Sequence, residues 1–254
     1  MTHPDANAAR ESGRALVTGG GVRVGRAVAV GLAAAGWDVA VHHHTSVEEA
    51  GETAARIRSA GREAATVRAD LSRPEEIPGM VRRAAGELGG LDLLVNNAAV
   101  FPRAAPSEVT PEHWDRVFAV NARAPFFCAR EAAEVMGDAG GCIVNVADVA
   151  AFEAWPAYAP YAATKAALVS LTRSLAAAWA PRVRVNAVAP GPVLLPEGAS
   201  AAERRRARRS TLLGRVGEAR DVAEAVLYLA GAGFVTGEVL RVDGGEHVAR
   251  TTRE

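Results

Sequence analysis

The residues of this chain best suited to acid–base chemistry are a tyrosine and a lysine at the head of a long alanine-rich stretch. Tyr161 and Lys165 lie four positions apart, and this spacing places both side chains on one face of a helix. A free phenol titrates near pH ~10, but a neighbouring cation favours the phenolate and lowers the tyrosine pKa. The pair is therefore predicted to donate a proton, with a solvated surface pair as the alternative for such a motif in isolation.

A glycine-rich turn near the start of the chain is predicted to bind a nucleotide. A short apolar strand at residues 15–17 runs into the sequence TGGGVRVG at residues 18–25, and a helix is predicted to follow to about residue 35. Glycines let the backbone approach a pyrophosphate, which the free N–H groups at the start of the helix attract. A tight turn with a purely structural role is the alternative. The residues assigned to the cofactor in this turn are Thr18, Gly19, Arg23, Val24 and Gly25.

The end of the second predicted strand indicates which dinucleotide is used. The strand covers residues 38–41, and three histidines, a threonine and a serine follow it, with no acidic residue before Glu48. An acidic residue there would bind the ribose 2′-hydroxyl and repel a 2′-phosphate, so its absence favours NADP(H). Because neighbouring strand residues alternate sides, the histidines are not expected to share a metal ion. The residues assigned to the cofactor are His43, His44, Thr45 and Ser46.

Three more predicted strand ends carry polar or small residues. The third, fourth and sixth strands are predicted at residues 64–68, 91–95 and 183–188, and ligands of an open α/β sheet bind beyond the carboxyl ends of its strands. An N-cap role for Asp70 and an ordinary turn after the fourth strand remain alternatives. The residues assigned to the cofactor at these ends are Asp70, Leu71, Asn97, Ala98, Ala99, Pro190 and Gly191.

Two further polar residues stand at positions that call for an explanation. Asn121 lies inside a helix predicted over residues 111–136, and asparagine is a mediocre helix former that competes for backbone hydrogen bonds. It could anchor a water in a proton path or serve packing or capping. Asp148 lies just beyond the fifth predicted strand, at residues 142–146, where a cap at the strand end is one explanation.

The order of strands and helices predicts a single α/β domain. Strands alternate with helices almost throughout, with a seventh strand at residues 239–242. This pattern indicates a Rossmann-type, doubly wound domain whose seven-stranded, mostly parallel sheet has helices on both faces. No linker divides the 254 residues, so residues 14–247 are assigned to one domain. Residues 1–13 and 248–254 are expected to be terminal tails, the first of them flexible.

The composition bears on the partners of the protein. Twenty-nine basic residues balance twenty-nine acidic ones, so we expect a small molecule or further subunits rather than nucleic acid or a membrane surface. The amino-terminal segment lacks the apolar core of a signal peptide, and no apolar run reaches membrane-spanning length, so a cytoplasmic location is expected. Cys128 and Cys142 lie in apolar segments and are predicted to be buried, reduced thiols.

Taken together and in this order, the motifs resemble those of the classical short-chain dehydrogenase/reductase family over about residues 15–245. The resemblance implies that Tyr161 is the general acid, that Lys165 holds the nicotinamide ribose and lowers the tyrosine pKa, and that Asn121 supports a water relay. It also implies a homotetramer. The motifs that carry it are the glycine-rich turn, Asp70, Asn96-Asn97-Ala98, Asn121, the Tyr161 and Lys165 pair, and Pro190-Gly191.

Two departures from the common family pattern narrow the resemblance. Arg23 stands where the turn usually has a glycine, and Asp148 stands where a serine is usual. In both features the chain resembles the pteridine reductases and the related dihydromonapterin reductases, as it does in the His-x-His-x-Ser sequence before residue 47. This resemblance implies hydride transfer from NADPH to an imine carbon of a dihydropterin. The implied substrate contacts are Phe101, Arg23, Asp148 and Tyr161.

Two other functions remain open at the level of the sequence. One is reduction of a 3-oxoacyl-carrier-protein or another ketone, because a fold does not fix the substrate. The other is a catalytically silent protein that senses a nucleotide. Residues 194–213 are expected to form a mobile substrate lid, whose arginine run at residues 204–209 is either a solvated helix face or a contact for an acidic or phosphorylated substrate.

Overall fold

The centre of the molecule is a seven-stranded parallel sheet. The computed structural model describes residues 12–195 and 198–251, so most of the predicted amino-terminal tail lies outside the described residues. The strands are β1 (Arg14–Val17), β2 (Asp38–His43), β3 (Ala64–Arg68), β4 (Leu93–Asn96), β5 (Gly141–Val146), β6 (Val183–Pro190) and β7 (Val239–Val242). Their order is β3-β2-β1-β4-β5-β6-β7, and every neighbouring pair is parallel. The predicted doubly wound sheet is confirmed.

Helices cover both faces of this sheet. They are α1 (Arg23–Ala34), α2 (Val47–Ser59), α3 (Ile77–Leu88), α4 (Pro111–Phe118), α5 (Ala124–Met136), α6 (Ala159–Trp179), α7 (Ala201–Ser210), α8 (Ala219–Gly231) and α9 (Glu246–Thr251). Buried apolar side chains of α1, α2 and α8 form one group on the sheet, and those of α3, α5 and α6 form another. Each fully buried aliphatic side chain contributes roughly 1.5–3 kcal/mol, so the two groups fix the helices in place.

The first strand shows why the central strands have unbroken apolar sequences. Ala15 and Val17 pack with the group on the α1 side, whereas Leu16 packs with the group on the α3 side, as the alternation of side chains along a strand requires. All three are fully buried. A parallel sheet covered on both faces therefore reads as a continuous hydrophobic run, and its polar residues begin where the strands end.

The helix predicted over residues 111–136 is interrupted in the structure. A π-helical segment, Ala119–Arg123, separates α4 from α5, and Asn121 lies in it. A π-helical turn inserts one residue into a helix and is found frequently at functional sites. The periodicity of a sequence does not reveal one inserted residue, so the prediction of a continuous helix was wrong at its centre.

Several other element bounds differ from the predicted ones. The predicted carboxyl-terminal tail is helical as far as Thr251, because α9 occupies that segment. β6 extends to Pro190, since its last residues pair with β7. Sequence reasoning did not assign α8, which packs against α1. Within the described ranges, no helix is both long enough and apolar enough to cross a bilayer.

The two cysteines are buried, as predicted. Burial raises the pKa of Cys128 to about 12 and that of Cys142 to about 11. Neither thiol is ionised near neutral pH, so neither is a ready nucleophile.

Candidate active site

The carboxyl ends of the strands open into a cavity of about 870 Å³, a volume typical of ligand sites. It collects nearly all of the residues that the sequence assigned to a site, and only Thr18 and Asn121 do not line it. Those that do are Gly19, Arg23, Val24, Gly25, His43, His44, Thr45, Ser46, Asp70, Leu71, Asn97, Ala98, Ala99, Phe101, Asp148, Tyr161, Lys165, Pro190 and Gly191.

The buried Tyr161 and the half-buried Asp148 form a hydrogen-bonded pair in this cavity. Tyr161 Oη donates to Asp148 Oδ2 at 2.8 Å, and the other carboxylate oxygen accepts from the backbone N–H of Ala150 at 2.8 Å. Asp148 thus caps the short 3-10 turn Val149–Phe152 as well as facing the phenol. Burial raises the pKa of Asp148 although both hydrogen bonds oppose the rise.

The predicted lowering of the tyrosine pKa was wrong for this arrangement. Burial, followed by the charge and the hydrogen bond of Asp148, raises the pKa of Tyr161 well above its ordinary value, because a phenolate would face a carboxylate at hydrogen-bond distance. Lys165 lies on the same face of α6, as its spacing predicts, but its Nζ is 5.5 Å from the centroid of the tyrosine ring. The phenol therefore holds its proton firmly in this structure.

Lys165 is itself almost fully buried, with 3% of its surface exposed. Its Nζ donates to the carbonyl oxygen of Val146, the last residue of β5, at 2.7 Å. Burial lowers the pKa of Lys165 to about 8, while Asp148 raises it. An ammonium that makes one backbone hydrogen bond and lines the cavity retains donors for a ligand hydroxyl.

The glycine turn is held by the end of β4. Thr18 Oγ1 accepts from the backbone N–H groups of Asn97 and Ala98 at 2.9 and 3.0 Å. In return, Asn97 Nδ2 donates to the carbonyl oxygens of Thr18 and Gly19 at 2.9 and 3.2 Å. A Cβ at Gly25 would lie 2.1 Å from the Gly19 carbonyl oxygen, so only glycine fits there. Thr18 thus shapes the turn from outside the cavity.

The amino terminus of α1 is suited to an anion. Its N-cap residue, Val22, makes no capping hydrogen bond through its side chain, and no acidic residue lies in the first turn. The first N–H groups of a helix have no partner within it and carry the positive end of the helix dipole. This helix terminus and the close-packed glycine turn are suited to a phosphate, and the predicted cofactor contacts there stay a prediction.

Arg23 joins the turn to the predicted lid. Its Nη2 donates to the carbonyl oxygen of Leu194 at 2.8 Å, and Leu194 lines the cavity. Both residues have positive φ angles, 49° and 47°, a conformation that costs a non-glycine residue roughly 1–3 kcal/mol and is concentrated at functional sites. The arginine run of the lid forms α7, an exposed helix with no buried side chain.

The histidines after β2 have different surroundings. His43 Nδ1 is buried without a hydrogen-bond partner among the described residues, and burial lowers the pKa of His43. His44 Nε2 lies 3.9 Å from Asp70 Oδ2. His42, to which sequence reasoning gave no role, is buried at the cavity wall.

Asp70 stabilises a turn beyond β3 and is not the N-cap of a helix; its contact with the cofactor stays a prediction. Its Oδ1 accepts from the backbone N–H and from the hydroxyl of Ser72 at 2.9 and 2.7 Å, which stabilises the turn before the 3-10 segment Pro74–Glu76. Burial favours the neutral acid, but the hydrogen bonds from Ser72 and the charges of His44 and Arg73 together keep the pKa of Asp70 below its ordinary value. The carboxylate also lines the cavity.

Asn121 acts on the cavity wall from behind. Its Oδ1 accepts from the N–H of Val100 and its Nδ2 donates to the carbonyl oxygen of the same residue, both at 2.8 Å. The next residue, Phe101, stacks on Tyr158 with ring centroids 4.3 Å apart and meets the edge of Tyr161 at 4.5 Å. The π-helical segment therefore positions aromatic rings beside Tyr161.

Comparison with known proteins identifies the family. A family model described as Enoyl-(Acyl carrier protein) reductase matches residues 21–247. An uncharacterized oxidoreductase of Methylorubrum extorquens is 38% identical over 240 residues, covering 91% of this chain and 96% of the relative. The chain belongs to the classical short-chain dehydrogenase/reductase family.

Similar members of this family differ in activity. The 3-oxoacyl-[acyl-carrier-protein] reductase FabG of Staphylococcus aureus is 32% identical, over 92% of this chain and 98% of the relative. The crystal structure of FolM alternative dihydrofolate reductase 1 from Brucella canis, complexed with NADP, is 35% identical with a TM-score of 0.85. It covers 96% of this chain and 95% of its own. The family therefore fixes oxidoreductase chemistry and leaves the substrate open.

Sequence reasoning missed some residues of this short-chain dehydrogenase/reductase site. Glu246 and Arg116 line the cavity, and Glu246 is buried. Glu246 directly follows the Asp243-Gly244-Gly245 turn at the end of β7, a strand end that could have signalled it. Trp155 lines the cavity, whereas Tyr158 stacks on Phe101.

Proposed function

We propose that the protein is an NADPH-dependent reductase of a dihydropterin, with Tyr161 as the proton donor. The hydrogen bond between Asp148 and Tyr161 supports this substrate class most directly. A ketone needs a neutral donor beside the tyrosine, whereas a pterin presents ring nitrogens and an amino group that a carboxylate can accept from. Similarity to the Brucella canis alternative dihydrofolate reductase supports the same class.

The residues of the cavity fit NADP(H). The uncapped start of α1 suits the pyrophosphate, and His43 lines the cavity beyond β2, where the ribose would lie. His44, Thr45 and Ser46 can donate to a 2′-phosphate where an acidic residue would repel it. Lys165 would hold the nicotinamide ribose, and the backbone of residues 97–99, with Pro190 and Gly191, would enclose the nicotinamide. The bound cofactor would supply the hydride.

In this proposal the chain's own residues control the proton. Asp148 orients the phenol of Tyr161 and accepts hydrogen bonds from the pterin. The raised pKa of Tyr161 keeps the proton on the phenol until the substrate nitrogen next to the reduced carbon becomes a stronger base. Lys165, whose Nζ lies 5.5 Å from the centroid of the tyrosine ring, then favours the phenolate. Phe101 and Trp155 provide flat apolar surfaces that exclude water from the reacting atoms.

The test is an activity panel read by loss of NADPH absorbance. Purified protein is given NADPH with dihydrobiopterin, dihydromonapterin, dihydrofolate or a short 3-oxoacyl thioester, each in a separate reaction. Turnover confined to the dihydropterins is the expected result. Turnover confined to the thioester would contradict the proposal.

A second candidate function is reduction of a 3-oxoacyl-carrier-protein or another ketone. The 32% identity to the Staphylococcus aureus FabG favours it, and Asp148 weighs against it. Asp148→Ser provides a matched variant, because it places a neutral hydroxyl beside Tyr161. If ketone reduction is the native activity, this variant should leave thioester turnover intact or raise it.

The third possibility is a nucleotide sensor without catalytic activity. Tyr161→Phe removes the proton donor and leaves the aromatic packing with Phe101 in place. We expect this variant to lose turnover and to bind NADPH as the native protein does. Native protein that binds NADPH and reduces none of the substrates, in any condition, would favour the sensor.

We also propose a homotetramer, on the basis of family resemblance. Large apolar side chains remain exposed on the single chain, among them Phe234 and Tyr228 on the side of α8 and Trp114 on α4. Light scattering should give four times the chain mass.

A further inference from the structure

His42 is a buried histidine that bridges two backbone segments of the cavity. It lies in β2 with 2% of its surface exposed. Its Nδ1 is 3.1 Å from the backbone nitrogen of Gly19, and its Nε2 is 3.1 Å from the carbonyl oxygen of Ala69. An N–H group can only donate and a carbonyl can only accept, so Nδ1 is the acceptor and Nε2 carries the proton. The two contacts define one neutral tautomer.

The two segments belong to opposite ends of a cofactor's adenosine half. Gly19 lies in the turn after β1, which receives the pyrophosphate in the proposed complex. Ala69 directly precedes Asp70, at the end of β3, where the adenine is expected. The backbone carbonyl of His42 also accepts from the N–H of Gly20 at 3.0 Å. His42 therefore accepts from the N–H groups of Gly19 and Gly20 and ties the glycine turn to the loop after β3.

An apolar residue would be the ordinary choice at this place. Val39, Ala40 and Val41 precede it in the same strand and are fully buried. A valine at position 42 would leave the Gly19 N–H and the Ala69 carbonyl without their partner inside the protein, which is unfavourable for both groups. The buried imidazole thus satisfies two backbone groups at once, and its ring length sets the distance between them.

We propose that His42 is a positioning residue for the dinucleotide, which sets the spacing between the glycine turn and the Asp70 loop and thereby the affinity for the adenosine half. It acts through Gly19 and Ala69. The proposal rests on the proposed use of NADP(H), and it concerns binding rather than the chemical step. Loss of the bridge should raise the KM for NADPH and leave kcat at saturating NADPH unchanged.

Three substitutions separate the two hydrogen bonds. In His42→Asn, the amide oxygen takes the place of Nδ1 and accepts from Gly19. In His42→Gln, the longer side chain brings an amide nitrogen to Ala69. His42→Ala removes both hydrogen bonds. Thr172→Val is the matched control, because Thr172 is buried and hydrogen-bonded to Asn145 but does not line the cavity.

The binding measurement uses two ligands, each of which corresponds to one half of the cofactor. Adenosine 2′,5′-bisphosphate and reduced nicotinamide mononucleotide are titrated by calorimetry into each variant, well below its melting temperature. We expect His42→Ala, which loses both hydrogen bonds of the ring, to weaken binding of the bisphosphate about 10-fold or more and to leave binding of the mononucleotide unchanged. His42→Asn should restore most of the loss, because it rebuilds the contact to the glycine turn. Thr172→Val should lower the melting temperature without changing either affinity.

The outcomes that overturn the proposal are equally specific. Native affinity for the bisphosphate in a folded His42→Ala variant would show that the bridge does not set binding. If His42→Ala does not fold, the His42→Asn and His42→Gln variants test the proposal instead. Both variants binding the bisphosphate as tightly as the native protein does would overturn it. Native protein that binds 5′-ADP but not the 2′,5′-bisphosphate would contradict the choice of NADP(H), and the same variants titrated with 5′-ADP would still test His42.

Discussion

Among single residues, Asp148 and Tyr161 matter most to the site, because they share one hydrogen bond. Sequence spacing placed Tyr161 and Lys165 on one face of a helix, and the structure agrees. The direction of the tyrosine pKa could not be obtained in the same way, because it depends on distances across the fold. Asp148 approaches the phenol at hydrogen-bond distance while the lysine ammonium does not. The nearer charge, that of Asp148, therefore determines the direction of the tyrosine pKa.

Replacing Asp148 tests this balance. Asp148→Asn keeps the size of the side chain and a carbonyl oxygen that can accept from Tyr161, but it removes the negative charge. We expect kcat/KM for a dihydropterin to fall by roughly 10²-fold, the range for loss of a group that assists proton transfer. Steady-state kinetics measures this, with the Kd for NADPH as the control. Unchanged turnover would show that the carboxylate is only a cap for the turn after β5.

The burial of His42 should make the folded protein less stable in acid. Burial lowers its pKa from 6.5 to about 4, so the unfolded chain binds more protons than the folded one between these pH values. Stability is therefore full above pH 6.5 and falls as the pH is lowered toward 4, by roughly 3 kcal/mol in total. Urea unfolding at a series of pH values should show this fall in the native protein and a flatter curve in His42→Asn. Parallel curves would contradict the prediction.

At the scale of elements, the π-helical segment is the feature that periodicity could not reveal. Asn121 was noticed as a poor helix former inside an apparent helix, and the structure shows that the helix is not continuous there. Its two hydrogen bonds to Val100 depend on a loop 21 residues earlier, which no local pattern encodes. The proposed water relay stays a prediction.

The role of the two hydrogen bonds of Asn121 can be tested by measuring stability and the KM for the substrate in a variant. Asn121→Ala leaves both backbone groups of Val100 without this partner and should destabilise the protein by roughly 1–3 kcal/mol. Because Phe101 follows Val100, we also expect a higher KM for the dihydropterin and little change in the Kd for NADPH. Chemical denaturation and steady-state kinetics measure the two effects. A stability loss with a native KM would limit Asn121 to a structural role.

The helix α7, which lies in the predicted lid, should open more readily than its neighbours. It has no buried side chain, and a capping box between Ser200 and Glu203 holds its start. A helix without an apolar face has little tertiary packing to stabilise it. Amide hydrogen exchange should therefore be fast in α7 and slow in α8, which buries six residues. Equal protection of the two helices would contradict this. Ser200→Ala removes the cap, which should cost about 1 kcal/mol of helix stability and speed exchange in α7 alone.

At the scale of the whole molecule, most of the fold was predictable from the sequence. Buried apolar runs separated by amphipathic stretches predict a parallel sheet covered on both faces, and turn residues mark the strand ends where the site forms. α8 was missed although Val222, Val226 and Leu229 have helical spacing. The bridge made by His42 could not be predicted, since its partners lie 23 and 27 residues away.

The strand order also has a consequence for how the chain acquires its structure. The glycine turn after β1 is completed by Thr18 and Asn97, which are 79 residues apart, because β4 lies beside β1 in the sheet. Pairings between such distant segments form late and slowly. During refolding from urea, helical circular dichroism should therefore return before the protein can enhance NADPH fluorescence. An intermediate caught between these two signals would have most of its secondary structure and no ability to recognise its cofactor.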